Sequence, residues 1–328
     1  MGTGSWRGCA EVFLTAAADF TARQRPVPKA APLQLRAAYA VCRSITRASA
    51  KNFYYGFLVL PRRKRDALCA VYAFMRQADD ISDNPELSDS DKRAKLEEWM
   101  EAFHAIDSGT PTDDPVLLAL SNAKQRFKIP AHLLEKLVYG TSMDLQDESV
   151  TRTVPGHPVV MYRSFQDLYQ YCYHVASVVG LVCICIFGYQ HPRAEKLAER
   201  TGIAFQLTNI IRDVKEDAAM GRIYLPAEDL KQYGVSAAEL AGSPDMQAMR
   251  PLLTLEADRA RDFYKSGIEL LNYIDEDSRP ALWTLVTIYS RLLEKIAKQD
   301  YNVFGEKVRL TTGEKLKVLT KGFAKRLK

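Results

Sequence analysis

Two carboxylate clusters hold the chemistry of this chain. The first is Asp79, Asp80 and Asp83, within Tyr72-Ala-Phe-Met-Arg-Gln-Ala-Asp-Asp-Ile-Ser-Asp83. The second is Asn209, Asp213, Glu216 and Asp217, within Phe205-Gln-Leu-Thr-Asn-Ile-Ile-Arg-Asp-Val-Lys-Glu-Asp217. Residues three and four apart are neighbours on a helix, so Asp79 stacks on Asp83, and Asn209, Asp213 and Asp217 form a column. Like charges so placed weaken an isolated helix. Hard divalent cations are the natural compensation. Mg²⁺ takes oxygen ligands and is usually shared between one or two carboxylates and substrate phosphates. The spacing therefore implies two metal-bearing walls on one cavity, and a diphosphate substrate.

The ordinary reading of an acidic run is a solvated helix face. Here the neighbours argue otherwise. Ala70, Val71, Tyr72, Ala73 and Phe74 precede the first cluster, and Ile203, Ala204, Phe205, Leu207, Ile210 and Ile211 accompany the second. Carboxylates are seldom placed among apolar groups unless paired or metal-bound.

Arginines stand beside both clusters. Arg76 shares the face of Asp79 and Asp83, Arg212 precedes Asp213, and Arg222 follows the Gly221 that ends the acidic helix. A guanidinium fork matches phosphate oxygens, and it matches a neighbouring carboxylate as well. Both readings stand for Arg76 and Arg212. Tyr171, Val175 and Val179 share one helical face before Gly180, a residue that lets helices approach closely. Ser49 to Phe57 supplies another aromatic segment. Aromatic faces stabilise cations and apolar walls exclude water, although these residue types are commonly plain core.

The elements that must position these residues are helices. Helical periodicity predicts segments at 33–54, 62–83, 89–107, 113–127, 130–147, 163–188, 191–218, 243–272, 278–302 and 311–326, and strand-like alternation is nearly absent. Loops are expected at 84–88, 108–111, 154–158 and 221–226. The expected architecture is one all-α domain over 33–328 around a central cavity, with 1–32 as a variable N-terminal extension. Composition agrees with a globular chain: 328 residues, 47% hydrophobic, 26% charged, net charge +5. That balance implies no nucleic-acid partner. The six cysteines form no CxxC pair and suggest a reducing cytoplasm. The strongest apolar run, 175–187, falls short of the ~20 residues that span a bilayer.

Three strings together resemble the squalene/phytoene synthase family: Tyr72 to Asp83, Tyr171 to Gly180, and Gly202 to Asp217 continued by Gly221-Arg-Ile-Tyr-Leu-Pro226. The likeness covers about 35–305. It implies an isoprenoid-synthase bundle that joins two prenyl diphosphates head to head. By this resemblance Asp79, Asp80, Asp83, Asn209, Asp213 and Asp217 hold Mg²⁺. Tyr72, Arg76, Tyr171, Arg212 and Arg222 serve catalysis. Phe53, Val175, Val179, Gln206, Tyr224 and Tyr289 line the substrate site. Farnesyl diphosphate, giving presqualene diphosphate or squalene, is the leading expectation. Geranylgeranyl diphosphate, giving phytoene, is the alternative, and a non-catalytic assembly factor of the same fold is a remote one.

No GxGxxG follows a strand, but family members without that fingerprint use NADPH, so the resemblance leaves NADPH open. A monomer or weak homodimer is expected in the cytoplasm. The basic segments Arg62–Arg65 and 322–328 leave room for peripheral contact with the membrane's inner face. The segment 151–158 has no assignable role beyond a candidate flap.

Overall fold

The computed structural model describes residues 32–50, 53–146, 159–242 and 244–326. The expected N-terminal extension, apart from Pro32, and the 151–158 flap lie outside them. Helix α1 spans Pro32–Ser49, α2 Phe53–Leu58, α3 Arg62–Ser82, α4 Asp89–Asp107, α5 Pro115–Phe127 and α6 Ala131–Gln146. After them come α7 (Phe165–Phe187), α8 (Arg193–Ala219), α9 (Ala227–Tyr233), α10 (Met246–Leu270), α11 (Arg279–Lys298) and α12 (Thr312–Arg326). The predicted helices are present, with the first divided into α1 and α2. The short helix α9 is additional to them.

Local chemistry explains the starts. Asp114 accepts from the Val116 and Leu117 amides, with Pro115 in the first turn of α5. Ser164 and Asp167 form a reciprocal capping box at the start of α7. Pro61 precedes α3, where a missing N–H costs nothing.

Helices α1, α3 and α5 pack on one another, and α8, α10 and α11 form a second group. Helix α8 buries residues around most of its circumference, from Ala194 through Val214, as a helix enclosed by its neighbours must. Helix α7 packs against α6 and α8, and α2 packs against α11, so these elements join the two groups. The central cavity lies between them.

Helix α7 departs from a simple reading. Residues Tyr173–Ser177 form a π turn, which adds a residue to the helical repeat and rotates the N-terminal half of the helix relative to the C-terminal half. The turn also joins the aromatic segment to the apolar run without a break. The resulting 23-residue helix is long and apolar enough to cross a membrane by length and composition. In this fold it packs against α8 and α6 and lines the cavity, with Gln166, Asp167 and Gln170 exposed. Close contact with α8 depends on glycine. A Cβ on Gly180 would lie 2.9 Å from the Ala198 carbonyl oxygen, and one on Gly202 would lie 2.6 Å from Ser177 Cα. Gly180 thus has the role expected of it. These pairings also show that α7 and α8 run antiparallel.

A two-residue parallel ladder pairs Val159 with Arg222 and Val160 with Ile223. The amides of Ala227 and Glu228 bond the Tyr162 and Arg163 carbonyls. The chain entering α7 is thereby tied to the chain leaving α8, and Arg222 is held just beyond the acidic helix.

Candidate active site

The cavity encloses about 1010 Å³ of atom-free space, its mouth included. Its lining is almost wholly apolar. Helix α3 contributes Leu68, Val71, Tyr72 and Met75, and α8 contributes Ala198, Thr201, Gly202, Phe205, Gln206 and Asn209. Both helices then leave the cavity toward their C-termini, and both turn acidic there. Asp79 and Asp83 follow Met75 by one and two turns. Asp213 and Asp217 follow Asn209 by one and two turns. Each of these two walls of the chamber is thus continued along its own helix by carboxylates, while Asn209 alone of the predicted metal ligands lines the cavity.

The electrostatics of the clusters fit a divalent cation. Burial, then the neighbouring Asp83, pushes the Asp79 carboxyl up to about 7. Burial, then Asp213, pushes Asp217 up to about 7. Neither makes an ion pair among the described residues. Asp213 goes the other way: Arg212 and Lys307 outweigh its burial and hold it below the usual carboxylate range. The cations of that wall sit on Asp213, which leaves Asp217 short of positive charge.

Among the described residues no three Asp, Glu, His or Cys side chains converge to cage an ion by themselves. Mg²⁺ is usually held by one or two carboxylates shared with substrate phosphates and water, and each acidic column offers hard oxygen donors of that kind. The donor set fits. Asp80 and Asp83 are exposed at the mouth rather than buried among apolar groups.

Arg76 and Arg212 are found in their carboxylate-bound form. Arg76 pairs with Asp80 one turn on. Arg212 forks onto Asp213, with Nε donating at 2.8 Å. Lys307, unforeseen from the sequence, brings its Nζ to 2.7 Å from Asp213 Oδ1 and also pairs with Glu216. Its neighbourhood is fixed by Lys215, which donates to the Phe304 carbonyl at 2.6 Å. The only sequence signal was the isolated lysine in Gly305-Glu-Lys307.

Phe53, Tyr72, Val175, Val179, Gln206 and Asn209 all line the cavity. Tyr171, just before the π turn that contains Val175, does not line the cavity with them. It stacks instead on Tyr224, centroids 5.0 Å apart, with Tyr162 at 5.3 Å. None of these three rings lines the cavity. Tyr289 is buried behind the wall, ring on ring with Phe205. Lining residues that sequence reasoning missed include Leu137, Cys183, Phe187, Leu270, Leu282 and Leu285. Apolar residues on apolar helix faces carry no mark that separates cavity wall from core.

The chain is similar to known proteins over most of its length. The family model described as squalene/phytoene synthase matches residues 46–314. A phytoene synthase of Mycobacterium tuberculosis is 35% identical over 295 residues, which cover 89% of this chain and 92% of that protein. A 15-cis-phytoene synthase of Synechocystis is 32% identical over 307 residues, 89% of this chain and 86% of that protein. Among solved structures, a dehydrosqualene synthase superposes with TM-score 0.77 at 31% identity, covering 89% of this chain and 97% of its own. A squalene synthase from Alicyclobacillus acidocaldarius superposes with TM-score 0.71 at 27% identity, covering 83% and 97%.

Proposed function

The chain belongs to the squalene/phytoene synthase family, and on that premise we propose that it condenses two geranylgeranyl diphosphates head to head into phytoene. The enzyme class is that of a prenyltransferase. The observation that carries the reading is the shared cavity of α3 and α8, apolar along its length and acidic where both helices leave it. An amphiphile with a long hydrocarbon tail and a diphosphate head is the complement of that shape.

The choice of geranylgeranyl over farnesyl diphosphate revises the expectation drawn from sequence alone. It rests on relatives 35% and 32% identical that are named phytoene synthases. A second reading, farnesyl diphosphate joined into a squalene-type skeleton, is favoured by the likeness to the dehydrosqualene synthase structure.

Asp79 and Asp83 on one wall, and Asn209, Asp213 and Asp217 on the other, would hold Mg²⁺, which supplies neutralising charge to a departing diphosphate. Arg76, Arg212 and Lys307 stand at the mouth and would exchange carboxylate for phosphate oxygens. The C–O bond of one substrate breaks, its electron pair leaves with diphosphate, and an allylic cation remains. The double bond of the second substrate attacks, and loss of a proton closes a cyclopropyl ring that still carries one diphosphate. A second C–O cleavage, rearrangement and proton loss give the linear conjugated product. Phe53 and Phe205 present rings to the cations, and the apolar lining keeps water from quenching them. This route consumes no hydride and therefore no NADPH.

The test supplies farnesyl and geranylgeranyl diphosphates in equal amounts with Mg²⁺ and no reductant, followed by product identification. Phytoene as the main product is expected. A product of the squalene skeleton alone would replace this reading by the second one.

A further inference from the structure

The deep end of the cavity, its floor, can be located from its lining residues. Helix α3 runs toward its acidic cluster, so Leu68 is its lining residue farthest from the mouth. Helices α7 and α8 are antiparallel, with Gly180 against Ala198 and Ser177 against Gly202. Phe187, two turns past Gly180, is therefore deeper still. On α11, Tyr289 stacks on Phe205 and Leu285 packs on Gly56, so Leu282 lies at the deep side. Leu68, Phe187 and Leu282 all line the cavity. From Asn209 to Ala198 the chamber extends ~17 Å, at 1.5 Å of rise per residue.

A polar cluster sits immediately outside this floor. Lys64 Nζ lies 2.7 Å from the Phe187 carbonyl oxygen, 2.6 Å from Asp277 Oδ1, 3.2 Å from Asp275 Oδ2 and 3.1 Å from Ser278 Oγ. The Ser278 hydroxyl is 3.0 Å from the same Phe187 carbonyl and is fully buried. The Lys64 side chain is only 13% exposed. The Asp275 amide donates to the Gly188 carbonyl at 2.9 Å. Gly188 itself has φ +79°, and a Cβ there would lie 2.0 Å from Asp275 Oδ2, so no side chain fits between α7 and this cluster.

The placement is specific. Lys64 stands one helical turn before Leu68, and Ser278 one turn before Leu282. Both reach the backbone of Phe187, whose carbonyl belongs to the last turn of α7 and has no partner within that helix. One ammonium thus ties together the three elements that each supply a floor residue. A lysine at a helix C-terminus is also favoured by the helix dipole.

We propose that Lys64, with Ser278, is a positioning residue that latches the cavity floor and thereby sets the length of prenyl tail the site accepts. Neither side chain lines the cavity. The effect passes through the position of the Phe187 ring relative to Leu68 and Leu282. The proposal rests on the reading of the site as one for prenyl diphosphates, and it goes beyond that reading by naming a determinant of length that lies outside the cavity wall.

The experiment compares wild type with Lys64→Met, Lys64→Arg and Ser278→Ala, each with farnesyl and geranylgeranyl diphosphates in competition and Mg²⁺ present. Lys64→Met is expected to shift the product ratio toward the longer tail about tenfold, in the range that pocket contacts discriminate. Ser278→Ala, which retains both ion pairs of Lys64, is expected to shift it less. Lys64→Arg is expected to restore most of the wild-type ratio. A merely structural role would lower turnover of both substrates alike and leave the ratio unmoved. If Lys64→Met loses its helical circular-dichroism signal, Ser278→Ala decides by the same ratio. An unchanged ratio in the folded variants overturns the latch. Failure of the wild-type protein to condense either substrate would instead overturn the prenyl-diphosphate reading, so the two failures are distinct.

Discussion

Phe205 and Tyr289 lie ring on ring, centroids 4.5 Å apart and planes 17° from parallel. Phe53 leans on both, at 6.5 Å from Phe205 and 5.6 Å from Tyr289. Phe53 and Phe205 line the cavity, whereas Tyr289 stands behind Phe205 and fixes its plane. The three rings sit between the acidic mouth and the apolar depth, where an ionising allylic carbon would lie when its diphosphate reaches the mouth.

Phe205→Leu keeps the apolar volume and removes the π face. A ring facing a desolvated cation contributes about 1–2 kcal/mol, so kcat is expected to fall about tenfold. KM should change little, because the uncharged substrate tail gains nothing from the ring's quadrupole. Steady-state kinetics check this, and an equal change in KM and kcat/KM with kcat unmoved would assign Phe205 to binding alone.

Asp79 carries a cost in the cation-free protein. Its folded pKa of about 7 stands above the ordinary 3.8, so the folded state holds a proton more tightly than the unfolded state does. The contribution of this group to stability therefore falls as pH rises from about 4 to about 7. Asp79→Asn removes the charge without changing the shape. The variant should melt several degrees higher than wild type at pH 8 without divalent cation, a gain on the order of 1–2 kcal/mol. Its turnover with Mg²⁺ should fall at least about a hundredfold. A melting temperature at or below that of wild type at pH 8 would show that Asp79 is instead a structural carboxylate.

The acidic columns were legible because they combine an unusual residue type with a strict period. Asp79 and Asp83 share a face, and Asn209, Asp213 and Asp217 share another, whatever surrounds them. The helices were legible for the same reason, down to the Gly180 contact between α7 and α8. The π turn at Tyr173–Ser177 was not, because no residue type demands it. Of the three residues expected on one face, Val175 and Val179 line the cavity and Tyr171 does not. Lys307 was invisible because its partner Asp213 is remote in sequence and only tertiary packing brings them together. The arginines were ambiguous in principle, since the same guanidinium fork serves carboxylate and phosphate. The sequence likewise left tail length open, because Leu68, Phe187 and Leu282 are unremarkable apolar residues until three helices bring them to one floor.

A second titration lies away from the cavity. Glu256 is 1% exposed and shares Arg259 with Asp229, which is 2% exposed. Burial first pushes Glu256 up to about 8, Arg259 draws it down, and Asp229 raises it. The folded state thus binds a proton on Glu256 more tightly than the unfolded state, whose value is near 4.5. Stability from this group is greatest below about 4.5 and is lost progressively as pH rises to about 8. Glu256→Gln should flatten the stability-versus-pH curve over that window, read by urea unfolding at about pH 5 and about pH 8. An undiminished slope in the variant would place the pH dependence on other groups.

The central claim is that the two acidic walls serve one cavity in which two prenyl diphosphates are joined. Its most direct measurement is the ratio of diphosphate released to condensed hydrocarbon formed, with geranylgeranyl diphosphate, Mg²⁺ and no reductant. The account predicts two diphosphates for each molecule of phytoene, with both products lost together in Asp79→Asn and in Asp217→Asn. Diphosphate released with only the prenyl alcohol formed, and no carbon–carbon bond made, would contradict it.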